Sequence, residues 1–205
     1  MDIAESDSAD STSQSLTDII LRESNRMAKT ITEFLQFARP VASTPEWFNL
    51  RRMVDETIQQ LTGDNGQHQQ CTLLNNIPET LDCRADRQQM QTVFLQLLEN
   101  SCVASKQTTT PITIEAREEV KGEKNVICIQ VRDQGAGIDE AIKEQIFTPF
   151  FSTREDSTGL GLSIVKQLLD QHNAVITLTN RTDGGCLAEI CLPHPAAPNE
   201  TREKG

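Results

Sequence analysis

Leu16, Ile20, Met27, Ile31, Phe34 and Ala38 recur at helical spacing, with Ile19 and Phe37 beside the stripe, until Pro40 ends the pattern. The spacing predicts one long helix over residues 15–40, reaching ~36 Å. So long a helix, apolar on one face, has to pack on something. Its own domain is one answer. A partner helix from another chain, or from sequence outside this one, is favoured, because "RPVASTPEWF" reads as a linker after it. Residues 48–62 predict a second helix with Leu50, Val54, Ile58 and Leu61 on its stripe, and the polar run "TGDNGQHQQ" closes it. A short strand in "CTLLNNIP" precedes the strongest helical signal, "ADRQQMQTVFLQLLENSCVAS", with Met90, Val93, Phe94, Leu97, Leu98 and Cys102 inward. "PITIEAREEV" and "NVICIQVRDQ" alternate around "KGEK", and "AVITLTN" and "CLAEICLP" flank "RTDGG", two antiparallel hairpins. Helices and strands mix without regular β-α-β alternation. The pattern predicts an α/β two-layer sandwich, a mixed and mostly antiparallel sheet with helices on one face.

Composition narrows the class. At 205 residues and 37% hydrophobic, the chain has room for one ordinary domain and an appendage. The formal net charge of -11 argues against a duplex nucleic acid partner, which needs a basic face to displace counterions. No apolar run approaches the ~18 residues of a membrane span, and the acidic, serine-rich start has no export pattern, so a cytoplasmic location is expected. Residues 1–14 are expected to be disordered and residues 194–205 to form a flexible tail, leaving 41–47 as linker and 48–193 as the main domain. Cys71, Cys83, Cys102, Cys128, Cys186 and Cys191 contain no C-x-x-C pair and are expected to be reduced core or near-surface residues.

Three places carry candidate chemistry. Gly159 and Gly161 precede a predicted helix, where free amides and the positive end of the helix dipole would face an anion. A plain glycine-rich turn has the same spacing. Asp133 follows a β-run and precedes Gly135 and Gly137, so its carboxylate at a strand end could accept from an exocyclic amine such as that of adenine; an aspartate-glycine turn is the other reading. Asn100 lies with Gln96 on the flank of the apolar stripe, while Glu99 points almost opposite its centre. From that flank an amide oxygen could reach Mg²⁺, a hard cation that accompanies phosphates.

In order, "QLLENS", "DQGAGI", "IFTPFFSTRED" and "STGLGLSIV" resemble the N, G1, F and G2 boxes of the sensor histidine kinase ATP-binding domain. That domain belongs to the GHKL superfamily shared with gyrase, heat-shock chaperones and mismatch-repair ATPases. The resemblance covers about residues 48–193 and implies the Bergerat ATP-binding fold. It implies that Asn100 coordinates the Mg²⁺ of Mg-ATP and that Asp133 recognises the adenine amino group. Gly135 and Gly137, with Ile138, resemble the G1 segment. Thr158, Gly159, Leu160, Gly161 and Leu162 resemble the G2 segment beside adenine and phosphates. Phe147, Phe150 and Phe151 match the F box at the root of the lid, and Arg154 stands where short lids carry a cation for the γ-phosphate; an exposed lid charge without a role is the competing reading. The helix ending "ITEFLQFARP" resembles the second helix of the dimerisation and phosphoacceptor hairpin, which implies a homodimer through residues 16–39.

Departures from the family pattern refine the expectation. Gln96 stands where many kinases have an earlier asparagine and hydrolysing members a water-activating glutamate; glutamine takes no proton, which favours phosphotransfer over hydrolysis. Ser157 replaces a frequent glycine and predicts a stiffer lid hinge. Asn173 replaces a glycine after the G2 helix, where asparagine tolerates a left-handed backbone. None of the three histidines fits the acceptor pattern: His68 and His194 are expected to be solvent-exposed, and His172 to sit at a helix C-terminus. The resemblance therefore implies an acceptor helix in another chain or in sequence outside this one, and a response regulator receiver domain downstream. Two rival readings are a non-catalytic nucleotide-binding or dimerisation module and an anti-sigma-factor-type serine kinase.

Overall fold

The alternating segments around "KGEK" build the centre of the sheet. In a computed structural model that describes residues 4–38, 42–63, 68–106, 108, 110–154 and 157–195, β4 (Ile112–Lys121) and β5 (Lys124–Arg132) pair antiparallel across a turn at Gly122. β7 (Cys186–Pro193) adds antiparallel to β5, and β6 (Val175–Asn180) to β7, through the predicted second hairpin. β2 (Leu73–Asn75) pairs parallel with β4, giving the order β2-β4-β5-β7-β6. Alternate residues Ile112, Ile114, Ile127, Ile129, Val131, Ile190 and Leu192 face one core. α2 (Leu50–Thr62), α3 (Arg87–Ala104) and α4 (Gly161–Gln171) close it with Met53, Val54, Phe94, Leu98, Val165 and Leu169. Each such fully buried side chain contributes about 1.5–3 kcal/mol by leaving water. The two-layer α/β sandwich is as the pattern predicts. Among the described residues no helix is long and apolar enough to cross a membrane.

The chain divides into two units near residue 40, and α1 (Ala4–Ala38) makes up the described part of the first. It exposes Leu16, Ile20, Met27, Ile31 and Phe34. α1 starts ahead of the stripe, within the stretch expected to be disordered. Once nucleated, a helix gains one hydrogen bond per residue fixed, which composition does not weigh. Residues 1–3 and Pro40 lie outside the described residues.

Several expectations need correction. The linker region already forms β1 (Glu46–Asn49), which pairs antiparallel with β3 (Asp82–Ala85), so α2 starts at Leu50 rather than 48. Cys71 and Cys102 are joined in a disulfide with their Cα atoms 5.7 Å apart, contrary to the all-reduced reading; the fold brings together two residues far apart in sequence. His194 is not part of a loose tail. Its amide donates to the Asn125 carbonyl (2.9 Å), its ring meets Trp47 edge-on at 5.5 Å, and Nε2 lies 3.3 Å from Glu118. His68 is half-buried rather than exposed. The remainder of the tail, residues 196–205, lies outside the described residues.

Asp86 fixes the start of α3. Its Oδ1 accepts the Gln89 amide at 3.0 Å, and Oδ2 accepts the Thr44 amide (2.9 Å) and hydroxyl (3.0 Å). Burial pushes this carboxyl up, but the Gln89 and Thr44 hydrogen bonds and nearby His172 together hold it below the usual aspartate range. His172 Nε2 accepts the Asp86 amide at 3.0 Å while Nδ1 lies 2.8 Å from the Leu168 carbonyl, so the ring joins the end of α4 to the start of α3. Asn173 follows with φ 53°, the left-handed backbone expected there. A group whose folded pKa is depressed stabilises fully above its unfolded value and loses that contribution as pH falls through the folded one. Asp86→Ala should therefore cost about 1–2 kcal/mol at pH 7. The difference from wild type should shrink below about pH 4, as measured by urea denaturation across pH.

Candidate functional site

α3, the segment after β5, and the start of α4 meet at one end of the sheet. Asn100 lines a cavity of about 140 Å³ together with Phe151, Arg154, Gly159, Gly161 and Leu162, all singled out in the sequence. Ile142, Ile146, Ser152, Thr153 and Ser157 complete the wall. The isoleucines were missed, although their i, i+4 spacing after the G1 glycines was a usable signal. A larger cavity of about 730 Å³ lies beyond the C-terminal end of α3, around Ser105, Lys106 and the disulfide, and contains none of the predicted site residues. Six of the predicted site residues line the smaller cavity.

α4 begins there without a side-chain cap at Leu160, so its first amides lack the partner that a capping side chain would provide. Leu160 itself is wholly buried and can offer a ligand only its backbone. Gly159 has φ 69°, and a Cβ there would stand 2.5 Å from the Phe150 carbonyl carbon and 2.7 Å from the Phe151 oxygen. The two ends of the lid thus touch, which only glycine permits. Gly161 lies against Gln96, whose Oε1 would be 2.5 Å from a Cβ, so Gln96 and Asn100 share the flank the helical count predicted. Thr158 Oγ1 accepts the Leu160 amide at 3.2 Å.

Ser152 closes the lid. Its Oγ accepts the Arg154 amide at 2.9 Å and lies 2.9 Å from Ser157 Oγ, which in turn accepts the Gly159 amide at 3.3 Å. Ser157 thus joins Ser152 and Gly159 across the lid. Glu155 and Asp156 lie outside the described residues. Phe147 packs partly buried against the core, and Phe150 is exposed with φ 65°.

Asp133 stands at the end of β5, 6% exposed, and does not itself line the cavity. Oδ1 accepts the amides of Gly135 (2.9 Å) and Cys186 (3.0 Å), and Oδ2 lies 3.4 Å from the hydroxyl of Ser101, the neighbour of Asn100. Burial, with the Asp133 carboxylate alongside, pushes the Cys186 thiol up to about 11, which keeps it neutral. Gly135 approaches Ala104 of α3, and Asn180 grips the backbone of Ile138 beside Gly137 through two hydrogen bonds of 2.7 Å. Arg181 Nη1 donates to the Asp133 carbonyl at 3.2 Å. Ser101, Asn180, Arg181 and Gly185 are positioning residues absent from the sequence reading; "RTDGG" showed only a hairpin turn and Asn180 only a strand end.

An α/β sandwich whose uncapped helix start, lid cation and helix amide converge on a small cavity, beside a buried strand-end carboxylate, is a nucleotide-binding domain. The chain belongs to the histidine kinase-, DNA gyrase B- and HSP90-like ATPase family, whose model matches residues 85–196. It is 32% identical over 191 residues to the sensor histidine kinase ZraS of Salmonella typhi, covering 93% of this chain and 40% of that protein. It is also 32% identical over 198 residues to the sensory histidine kinase/phosphatase NtrB of Rhodobacter capsulatus, covering 90% of this chain and 53% of the other. The nucleotide-free catalytic domain of histidine kinase ThkA superposes with a TM-score of 0.57 at 28% identity, over 74% of this chain and 96% of that one. Full-length ShkA, in complex with AMPPNP, shares the fold at 17% identity and a TM-score of 0.72, over 91% of this chain and 40% of that one. The second unit is thus an ATP-binding catalytic domain of the sensor histidine kinase type, and the chain spans about half or less of these curated relatives.

Gly185 separates conformational from steric demand. At φ 82° a Cβ would fall 2.1 Å from the Asp133 carbonyl oxygen, whereas Gly122, at φ 67°, has open space around it. Gly122→Ala should cost about 1 kcal/mol and Gly185→Ala clearly more, about 2–3 kcal/mol or above, read as urea midpoints of the two variants.

Proposed function

We propose that this chain is the catalytic part of a cytoplasmic two-component sensor histidine kinase. It binds Mg-ATP and transfers the γ-phosphate to a histidine outside this chain, for onward transfer to a response regulator receiver domain. The observation that carries this reading is the single cavity uniting Asn100, Arg154 and the uncapped start of α4, in a chain similar to sensor kinases over most of its length.

Each residue then has a task. Asp133 has two amides on Oδ1 and only a long contact to Ser101 on Oδ2, which suits Oδ2 to accept from the adenine amino group. Gly135, Gly137 and Ile138 flank the base, with Phe147 and Phe151 at the lid root. The amides of Gly161 and Leu162 at the uncapped start of α4 stabilise phosphate charge, and Arg154 offers a guanidinium fork to the γ-phosphate. Asn100 offers a neutral amide oxygen, a donor that fits Mg²⁺; when bound, that ion would neutralise charge on the phosphates. Gln96, against Gly161, cannot accept a proton from water, which suits transfer rather than hydrolysis. Both ring nitrogens of His172 are engaged in structural contacts, in keeping with an acceptor elsewhere. The exposed apolar stripe of α1 suits a homodimer through residues 16–39.

Calorimetry with a non-hydrolysable ATP analogue and Mg²⁺ should show binding that Asp133→Ala weakens by at least about tenfold, the loss of a hydrogen bond to a buried charged group. Unchanged affinity would contradict the adenine assignment. Labelled ATP with an isolated acceptor-histidine hairpin should yield phosphohistidine, and Arg154→Ala should slow this by about 10²–10³-fold with a smaller effect on analogue affinity. Binding without transfer would reduce the chain to a nucleotide-binding module.

A further inference from the structure

The sheet face turned away from the helices carries a cluster that ATP chemistry does not use. β5 and β7 pair with Cys128 directly opposite Cys191 and Gln130 opposite Glu189. The intervening Ile127, Ile129, Ile190 and Leu192 enter the core, so Cys128, Glu189 and Cys191 share the other face. Their two sulfurs and a carboxylate oxygen all lie within 4.8 Å of one another. Ligand atoms of a tetrahedral zinc ion stand about 3.3–3.8 Å apart, a gap that small side-chain rotations close. Gln130 Nε2 donates to the second Glu189 oxygen at 2.7 Å, the kind of outer contact that orients a metal-binding carboxylate.

The cluster already attracts a cation. Lys121 Nζ, reaching across from β4, lies 2.9 Å from Cys191 Sγ, 3.4 Å from Glu189 and 3.7 Å from Glu119. Cys128 is fully buried beside Glu189 and Cys191. A divalent ion would relieve that crowding of negative and neutral donors. Two thiolates with one carboxylate suit Zn²⁺, a borderline-soft ion, over the oxygen-seeking Mg²⁺ of a phosphate site.

We propose that Cys128, Cys191 and Glu189 form a zinc site with an exchangeable fourth position, which Lys121 vacates when the ion binds. On binding, each thiol releases one proton to solvent and forms a Zn–S bond, while Lys121 keeps its proton and moves toward Glu119. The site would fasten the middle of the β5–β7 pair.

Titrating the purified chain with Co²⁺ tests this by the charge-transfer absorption of thiolate-bound cobalt. One Co²⁺ per chain, displaced by Zn²⁺, is expected. Glu189→Gln should weaken binding by at least about tenfold, and Lys121→Ala should tighten it by removing the competing ammonium. Both are surface changes, so folding should persist. The absorption should vanish in the Cys128→Ser, Cys191→Ser double variant. No thiolate absorption in the wild-type chain, its survival in the double variant through Cys83 or Cys186, or indifference to the Lys121 and Glu189 changes would each overturn the assignment.

Discussion

The buried carboxylate of Asp133 is the constraint around which the functional end of the domain is arranged. A charge taken out of water costs several kcal/mol unless it is met by donors. Here the donors come from three different places: Gly135 just beyond β5, Cys186 at the start of β7, and Ser101 on α3. Satisfying one side chain therefore fixes the relative position of two strands and a helix. Since Ser101 adjoins Asn100, the same contact ties the strand-end carboxylate to the helix amide that lines the cavity.

The lid is built on a comparable economy. Its two ends meet where Gly159 lies against the backbone of Phe150 and Phe151, and the Ser152–Ser157 pair closes the loop above that point. Leu160, fully buried, pins the far end. A loop whose ends are already joined has little closure entropy left to lose when a ligand binds. Its one cation, among the described lid residues, is Arg154, whose backbone Ser152 holds in place.

Elements that repeat a period over many residues were legible in the sequence. The stripes of α2 and α3 and the alternation of β4, β5 and β7 placed the sheet and its helices, and Gly159, Gly161, Asn100 and Arg154 marked residues that line the cavity. Features resting on a few residues brought together by the fold were not. β1 and β3 are four residues each, and a segment as short as "EWFN" carries no period. The Cys71–Cys102 bridge joins residues 31 apart, and spacing rules for nearby cysteines have nothing to say about it. His194 reads as part of a polar tail until Trp47 and Glu118 appear beside it. The hairpin turn "RTDGG" conformed to turn chemistry and Asn180 to a strand end, which hid the second task of Asn180 and Gly185 in bracing the segment after β5.

That second task of Asn180 has a consequence for how a nucleotide would be received. Its side-chain amide, at the end of β6, satisfies both the N–H and the C=O of Ile138, as the backbone of a paired strand would. The backbone after Gly137 thus has its own hydrogen-bonding complement before any ligand arrives. Binding need not recruit this segment from a disordered ensemble, so the conformational entropy that a flexible loop would surrender on association has already been lost during folding.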